Sequence, residues 1–185
     1  GHTSTLFARR PAPRAESDEF YRDRVYGTLW TGPRPSLDEV AATLAITTRP
    51  LEELDDALRG LRAPLNLDDA ELSTTLADLR LVKDEWEIAQ LATACDASAR
   101  GFVDVVRELA VAKETSERWI EGTFWRRARV EGNDVGSGSI TAAGPHACVL
   151  HWTRDDGPVR DGALMLLAAG VEASTFYTAD VIRTL

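Results

Sequence analysis

An α+β protein, preceded by part of an α/β domain, is the fold class this sequence predicts. Three observations carry the prediction. Apolar residues recur at three- and four-residue steps from Ile88 to Leu109, the period of a helix. From Val135 onward the period shortens to two, the alternation of strands. Ahead of both, residues 3 to 61 alternate strand-like and helical patterns, the rhythm of an α/β layer.

Taken in order, Thr3 to Ala8 reads as a strand centred on Leu6 and Phe7. Arg9 to Asp18 is rich in proline and charge, hence a loop. Glu19 to Trp30 mixes charge with Phe20, Tyr21, Tyr26 and Trp30. Ser36, with Glu39 three residues on, forms a capping box and opens a helix whose face is Leu37, Val40 and Leu44. Ile46 to Pro50 is a short strand or turn. Leu51 to Leu61 is amphipathic through Leu51, Leu54, Leu58 and Leu61. A helix follows from Asp68 to Leu79. The longest helix carries Ile88, Leu91, Cys95, Ser98, Phe102, Val105 and Leu109 on one face, with Asp84, Glu85 and Glu87 suited to its positive end. Thr115-Ser116-Glu117 opens the last helix, through Ile120, Phe124, Trp125 and Ala128, and Gly132 stops it. The remainder reads as antiparallel strands, with one from Leu164 to Leu167, a turn at Ala169-Gly170, and a last strand behind Asp180. The second half thus reads as two helices followed by an antiparallel sheet.

Charge narrows the function classes. The net charge is -9 and the pI about 4.9, so the surface repels phosphate backbones and anionic lipid. Neither nucleic acid nor membrane is an expected partner. The basic run Arg126-Arg127-Ala128-Arg129 reads as a solvated helix face. Cys95 and Cys148 lack CxxC spacing, so neither a disulfide framework nor a zinc site is expected, and a cytoplasmic setting fits. No apolar run is long enough for a signal peptide or a membrane span.

Motifs give little chemistry by spacing alone. Gly136-Ser137-Gly138 follows a helix and precedes a strand, the reverse of a dinucleotide loop, and Val135 spoils a serine elbow. His151 reads as a strand histidine, His146 as exposed after a Gly-Pro turn, and Asp155, Asp156 and Asp161 as ordinary turn acids. Asp180 is one carboxylate, and a two-metal hydrolytic site needs several.

From Leu79 to Leu185 the chain resembles aminopeptidase P, the Xaa-Pro aminopeptidases of the creatinase-like pita-bread metallopeptidases. The resemblance rests on LRLVKDEWEIAQL, ERWIEGTFWRRARVEGNDVG, GSITAAGPHACVLHWTR, DGPVRDG and GVEASTFYTADVIRTL. FYRDRVYGTLWTGPRPSLDEV is similar to the later part of that family's N-terminal α/β domain, with a shorter linker around Leu65 to Asp69. It implies two domains, 1-78 as part of the N-terminal α/β domain and 79-185 as the first half of a pita-bread domain, with two manganese ions and cleavage before proline at a peptide's second position. It also implies five metal ligands: two aspartates on neighbouring strands, then a histidine and two glutamates that fall beyond Leu185. Asp180 matches the second aspartate. Ala168 stands where the first belongs, and His151 matches a histidine that contacts substrate. Ser137, Ala163 and Ile182 replace a usual tyrosine, aspartate and threonine. The expectation is a truncated, catalytically defective relative, and a homo-oligomer or partner subunit covering the bared half-sheet. The alternatives are a non-catalytic interaction module, or one part of a complete peptidase.

Overall fold

The computed structural model describes residues 4–11, 28–59 and 68–185. The expected loop after Pro11, the aromatic run Phe20 to Tyr26, the end of the helix at Leu61 and most of the Leu65 to Asp69 linker lie outside the described residues. The chain divides into two compact units, Gly1–Thr74 and Thr75–Leu185.

In the first unit, strand β1 (Thr5–Ala8) pairs in parallel with β2 (Thr47–Pro50), from Thr5 opposite Thr47 to Ala8 opposite Pro50. Parallel neighbours need a crossover, which contains a short helix α1 (Thr28–Thr31) and α2 (Leu37–Leu44). The Ser36 capping box forms as the sequence predicts. Glu39 N–H donates to Ser36 Oγ at 3.2 Å, and Ser36 N–H to Glu39 Oε2 at 2.7 Å. The helix read over Leu51 to Leu61 instead splits into a 3₁₀ turn, Leu51–Glu53, and α3 (Leu54–Leu58). Pro50 fixes the extended entry, so the chain tightens before it winds into an α-helix. Helix α4 (Ala70–Leu81) spans the division between the units.

The second unit packs two helices on one side of a small sheet. Helix α5 (Glu85–Glu114) starts at Asp84, which accepts from Glu87 N at 2.8 Å while Glu87 Oε2 accepts from Asp84 N. Its buried stripe is Ala94, Ala97, Ser98, Gly101, Val105 and Ala112. Ile88 and Cys95, read as core, are exposed. The reason is close approach: small residues let α6 (Glu117–Glu131) and the sheet come in, and large ones sit at the seam's margins. A Cβ on Gly101 would lie 2.7 Å from the Phe124 ring, which is fully buried. Arg127 departs from the solvated reading, because it bridges Asp104 of α5 at 2.6 Å and Glu131 at 2.9 Å.

After α6, β3 (Asp134–Val135) pairs with β6 (Val171–Glu172). The main sheet runs β4 (Ile140–Ala143), β5 (Met165–Ala169), β7 (Val181–Thr184), all antiparallel. Strand does not follow strand without a break, however. Gly144–Cys148 is a 3₁₀ helix and residues 149–164 hold no strand. Nor is Ala169-Gly170 a hairpin turn. Strand β5 runs through Ala168 and Ala169, and the chain passes on into β6. Met165, Leu167 and Ala169 bury against the helices with Ile120, Phe124 and Val105. Leu166 and Ala168 point the other way.

Candidate functional site

The outward face of the sheet holds the sequence-predicted metal position. Ala168 lies opposite Ile140 of β4 and Ile182 of β7, and antiparallel partners share a face. Asp180 stands two residues before Ile182, so alternation returns it to that face, diagonal to Ala168. It is exposed. Gly170 makes this arrangement possible, because a Cβ there would run into the Ala179 carbonyl. The peptide leading to Asp180 therefore presses directly on the end of β5.

His151 is placed elsewhere. It is exposed, in a turn rather than on a strand, beside the fully solvated Leu150. The reason is a buried carboxylate that spacing did not reveal. Glu117, the first residue of α6, has no solvent exposure. Its Oε1 accepts from Ala143 N at 2.7 Å and lies 2.9 Å from His146 Nδ1. Its Oε2 accepts from Trp152 Nε1 at 2.9 Å and Gly157 N at 2.8 Å. Burial alone would raise this carboxyl; the four donors outweigh it and hold the group below the usual carboxylate range. An ionised carboxylate only accepts, so His146 carries its proton on Nδ1. The His146 ring stacks on Trp152 at 3.9 Å, and Gly157 leaves room for it, since a Cβ there would strike the imidazole.

His146 is thus not the exposed residue its Gly-Pro context implies; its side chain is 30% exposed and tied down. Asp155 is corrected likewise. It is 1% exposed, adopts φ +45°, and accepts from Thr141 N at 2.8 Å. Burial, with the nearby Glu121 and Glu117 charges, pushes its carboxyl up to about 6 despite that bond and Arg118. Glu117 and Asp155 hang the irregular segment on α6 and β4 by side chains, which replaces the ladder that strands would have provided. No local pattern announces this: Glu117 looks like an ordinary helix-start acid, and its partners lie far along the chain.

Among the described residues, no group of three or more His, Cys, Asp and Glu side chains is placed to hold a metal ion. Asp180 is a single carboxylate, so the residues present do not fit a two-metal centre on their own.

Comparison with known proteins places this architecture. The profile of metallopeptidase family M24 matches residues 89–185. The chain belongs to metallopeptidase family M24. Among M24 relatives, Xaa-Pro aminopeptidase 1 of Streptomyces coelicolor is 49% identical over 204 residues, an alignment that takes in 100% of this chain and 41% of that protein. Xaa-Pro aminopeptidase 2 of the same organism is 47% identical, again over 100% of this chain and 43% of its own length. The chain thus spans less than half the length of these relatives. In structure it is similar to aminopeptidase PepP of Pseudomonas aeruginosa, with a TM-score of 0.71 and 24% identity over 98% of this chain and 46% of that one. Escherichia coli aminopeptidase P with the inhibitor Pro-Leu gives a TM-score of 0.71 at 21% identity, over 99% and 46%. The M24 fold seen here is part of the pita-bread domain those structures share. No helix among the described residues is long and apolar enough to cross a membrane.

Proposed function

We propose that this chain provides the first half of an Xaa-Pro aminopeptidase catalytic domain, whose substrates are peptides with proline in second position. Asp180 is its ligand to a pair of manganese ions, and His151 its contact to substrate. Ala168 deprives the centre of the carboxylate that would pair with Asp180, so the chain as it stands is catalytically defective. The observation that carries this reading is the register. Ala168 pairs with Ile182, and extending that register one residue past Val181 sets Asp180 diagonal to Ala168, about 7–8 Å away in typical sheets and within reach for two carboxylates to share metal ions. Two exposed free thiols, Cys95 and Cys148, support a reducing, cytoplasmic setting.

The test is metal content and hydrolysis together. The chain should bind manganese weakly and leave an Xaa-Pro peptide uncut. Ala168→Asp should raise manganese affinity by at least about tenfold, the scale on which even a supporting partner acts. Two tightly bound ions in the unaltered chain would overturn the reading, as would no change in the variant.

A second reading, a non-catalytic interaction module that forms a homo-oligomer or binds a partner subunit, has its own observation. Leu150, Leu164 and Ile182 are 96%, 69% and 56% exposed. Large exposed apolar side chains mark contact surfaces when they are contiguous. Sedimentation as a monomer that binds no hydrophobic dye would end that reading.

A further inference from the structure

A cleft opens beside helix α6. Helix α6, β3 and the segment joining β3 to β4 line an open cleft of about 620 Å³, within the size range of small-molecule sites. Neither Asp180 nor Ala168 lines it. Three of its walls come from Arg118, Glu121 and Trp125, which the helix period stacks on one side of α6. Opposite them lie Asp134, Ser137 and Ser139.

The chemistry of this lining is specific. Trp125 is 51% exposed, yet its ring is not free to turn, because Nε1–H donates to Asp134 Oδ1 at 2.8 Å. That bond consumes the indole's only donor and presents its π face. Elsewhere in this unit Arg154 lies over Trp152 at 5.3 Å, whereas no cation among the described residues lies over Trp125. Glu121 is half-buried, and no hydrogen bond or ion pair among the described residues engages its carboxylate. The one cation of the lining, Arg118, is engaged elsewhere through its Nε, which donates to the Arg154 carbonyl at 3.3 Å. Gly122 and Gly138 leave the walls open, since a Cβ on either would meet nothing within 4 Å.

We propose that this cleft binds an organic cation, the guanidinium or ammonium of a basic side chain, seated on the Trp125 indole and paired with Glu121. An aromatic face beside a carboxylate selects positive charge twice over, by the ring quadrupole and by the formal charge. A guanidinium suits it best, because it is planar enough to stack and has donors left for Glu121 and the serine hydroxyls. Partial burial of Glu121 limits screening by salt, so the pairing keeps more of its strength than one on open surface.

The test is titration of the full chain with N-acetyl-arginine amide, followed at the Trp125 indole N–H resonance and assigned with Trp125→Phe. The resonance should shift saturably. Glu121→Gln, which keeps the shape and removes the charge, should weaken binding about fivefold. Trp125→Leu, read by calorimetry, should weaken it by a similar factor. The neutral analogue N-acetyl-norleucine amide should leave the resonance unmoved. Free arginine distinguishes a free amino acid from a peptide side chain: tighter binding than the blocked form points to the former, equal binding to the latter. The proposal is overturned by a linear, unsaturated response, by equal shifts from the norleucine probe, or by unchanged affinity in Glu121→Gln.

Discussion

Asp155 offers the sharpest test of how the irregular segment is held. Its carboxyl, 1% exposed, is pushed up to about 6 from the ordinary 3.8. In the unfolded chain it ionises near the ordinary value, so between the two the folded state binds one proton more. Stability from this group is therefore full below 3.8 and falls as pH rises to about 6, with no further loss above. A gap of roughly two units corresponds to about 3 kcal/mol lost by pH 7.5, against only about 0.5 kcal/mol at pH 4. Asp155→Asn removes the charge, keeps an oxygen for Thr141 N–H, and tolerates the positive φ. The variant should gain about 3 kcal/mol over the parent at pH 7.5, or about 10 °C in melting temperature, and almost nothing at pH 4. Thermal melts of both proteins at both pH values decide it. A gap between parent and variant that is the same at pH 4 and pH 7.5 would refute the reasoning, since it would place the cost in shape rather than in ionisation.

Glu117→Ala should cost about 3–5 kcal/mol in urea unfolding, because it strands the Ala143 and Gly157 amides, Trp152 Nε1 and His146 together. Gly157→Ala should destabilise by about 2 kcal/mol or more, and quench the His146–Trp152 stacking signal in near-ultraviolet circular dichroism, since its methyl meets the imidazole. Phe124→Ala should cost about 3–5 kcal/mol by the same urea assay, from the cavity opened against Gly101.

Much of this fold is legible where local chemistry decides it. The capping boxes at Ser36 and Asp84 are short-range devices, and both form as their residues predict. Helix α6 also stops at Gly132, but there the glycine answers a long-range contact, since a Cβ would run into the Glu172 carbonyl. The long helix was legible in extent and largely in orientation, since Ser98 and Val105 of its predicted face are buried and Phe102 and Leu109 pack against the core. The apolar period also picks out Ile88 and Cys95, which are exposed, whereas close packing selects Ala97 and Gly101 beside Ser98. The segment after β4 was least legible, because side-chain carboxylates hold it, Glu117 from 26 to 40 residues away and Asp155 from 14. Long-range hydrogen bonds of that kind leave no period. The proposed site rests on resemblance: Asp180 alone is one acid among many, and the register beside Ala168 supports that proposal without a local pattern to announce it.

Ser98 shows what a single hydroxyl can do at a seam. Its Oγ donates to Ala94 O at 2.7 Å and accepts from Val171 N at 2.9 Å, with no solvent contact. Val171 is the first residue after Gly170, where the polypeptide leaves one ladder and joins the next. An amide in that position has no strand partner of its own, and the helix supplies one. The Val171 amide should therefore exchange with deuterium as slowly as the amides in the middle of β5, although it sits at a break between two sheets. Ser98→Ala would leave the Val171 amide without that acceptor, and its exchange should then outpace that of the β5 amides, at a crossing nine residues upstream of Asp180.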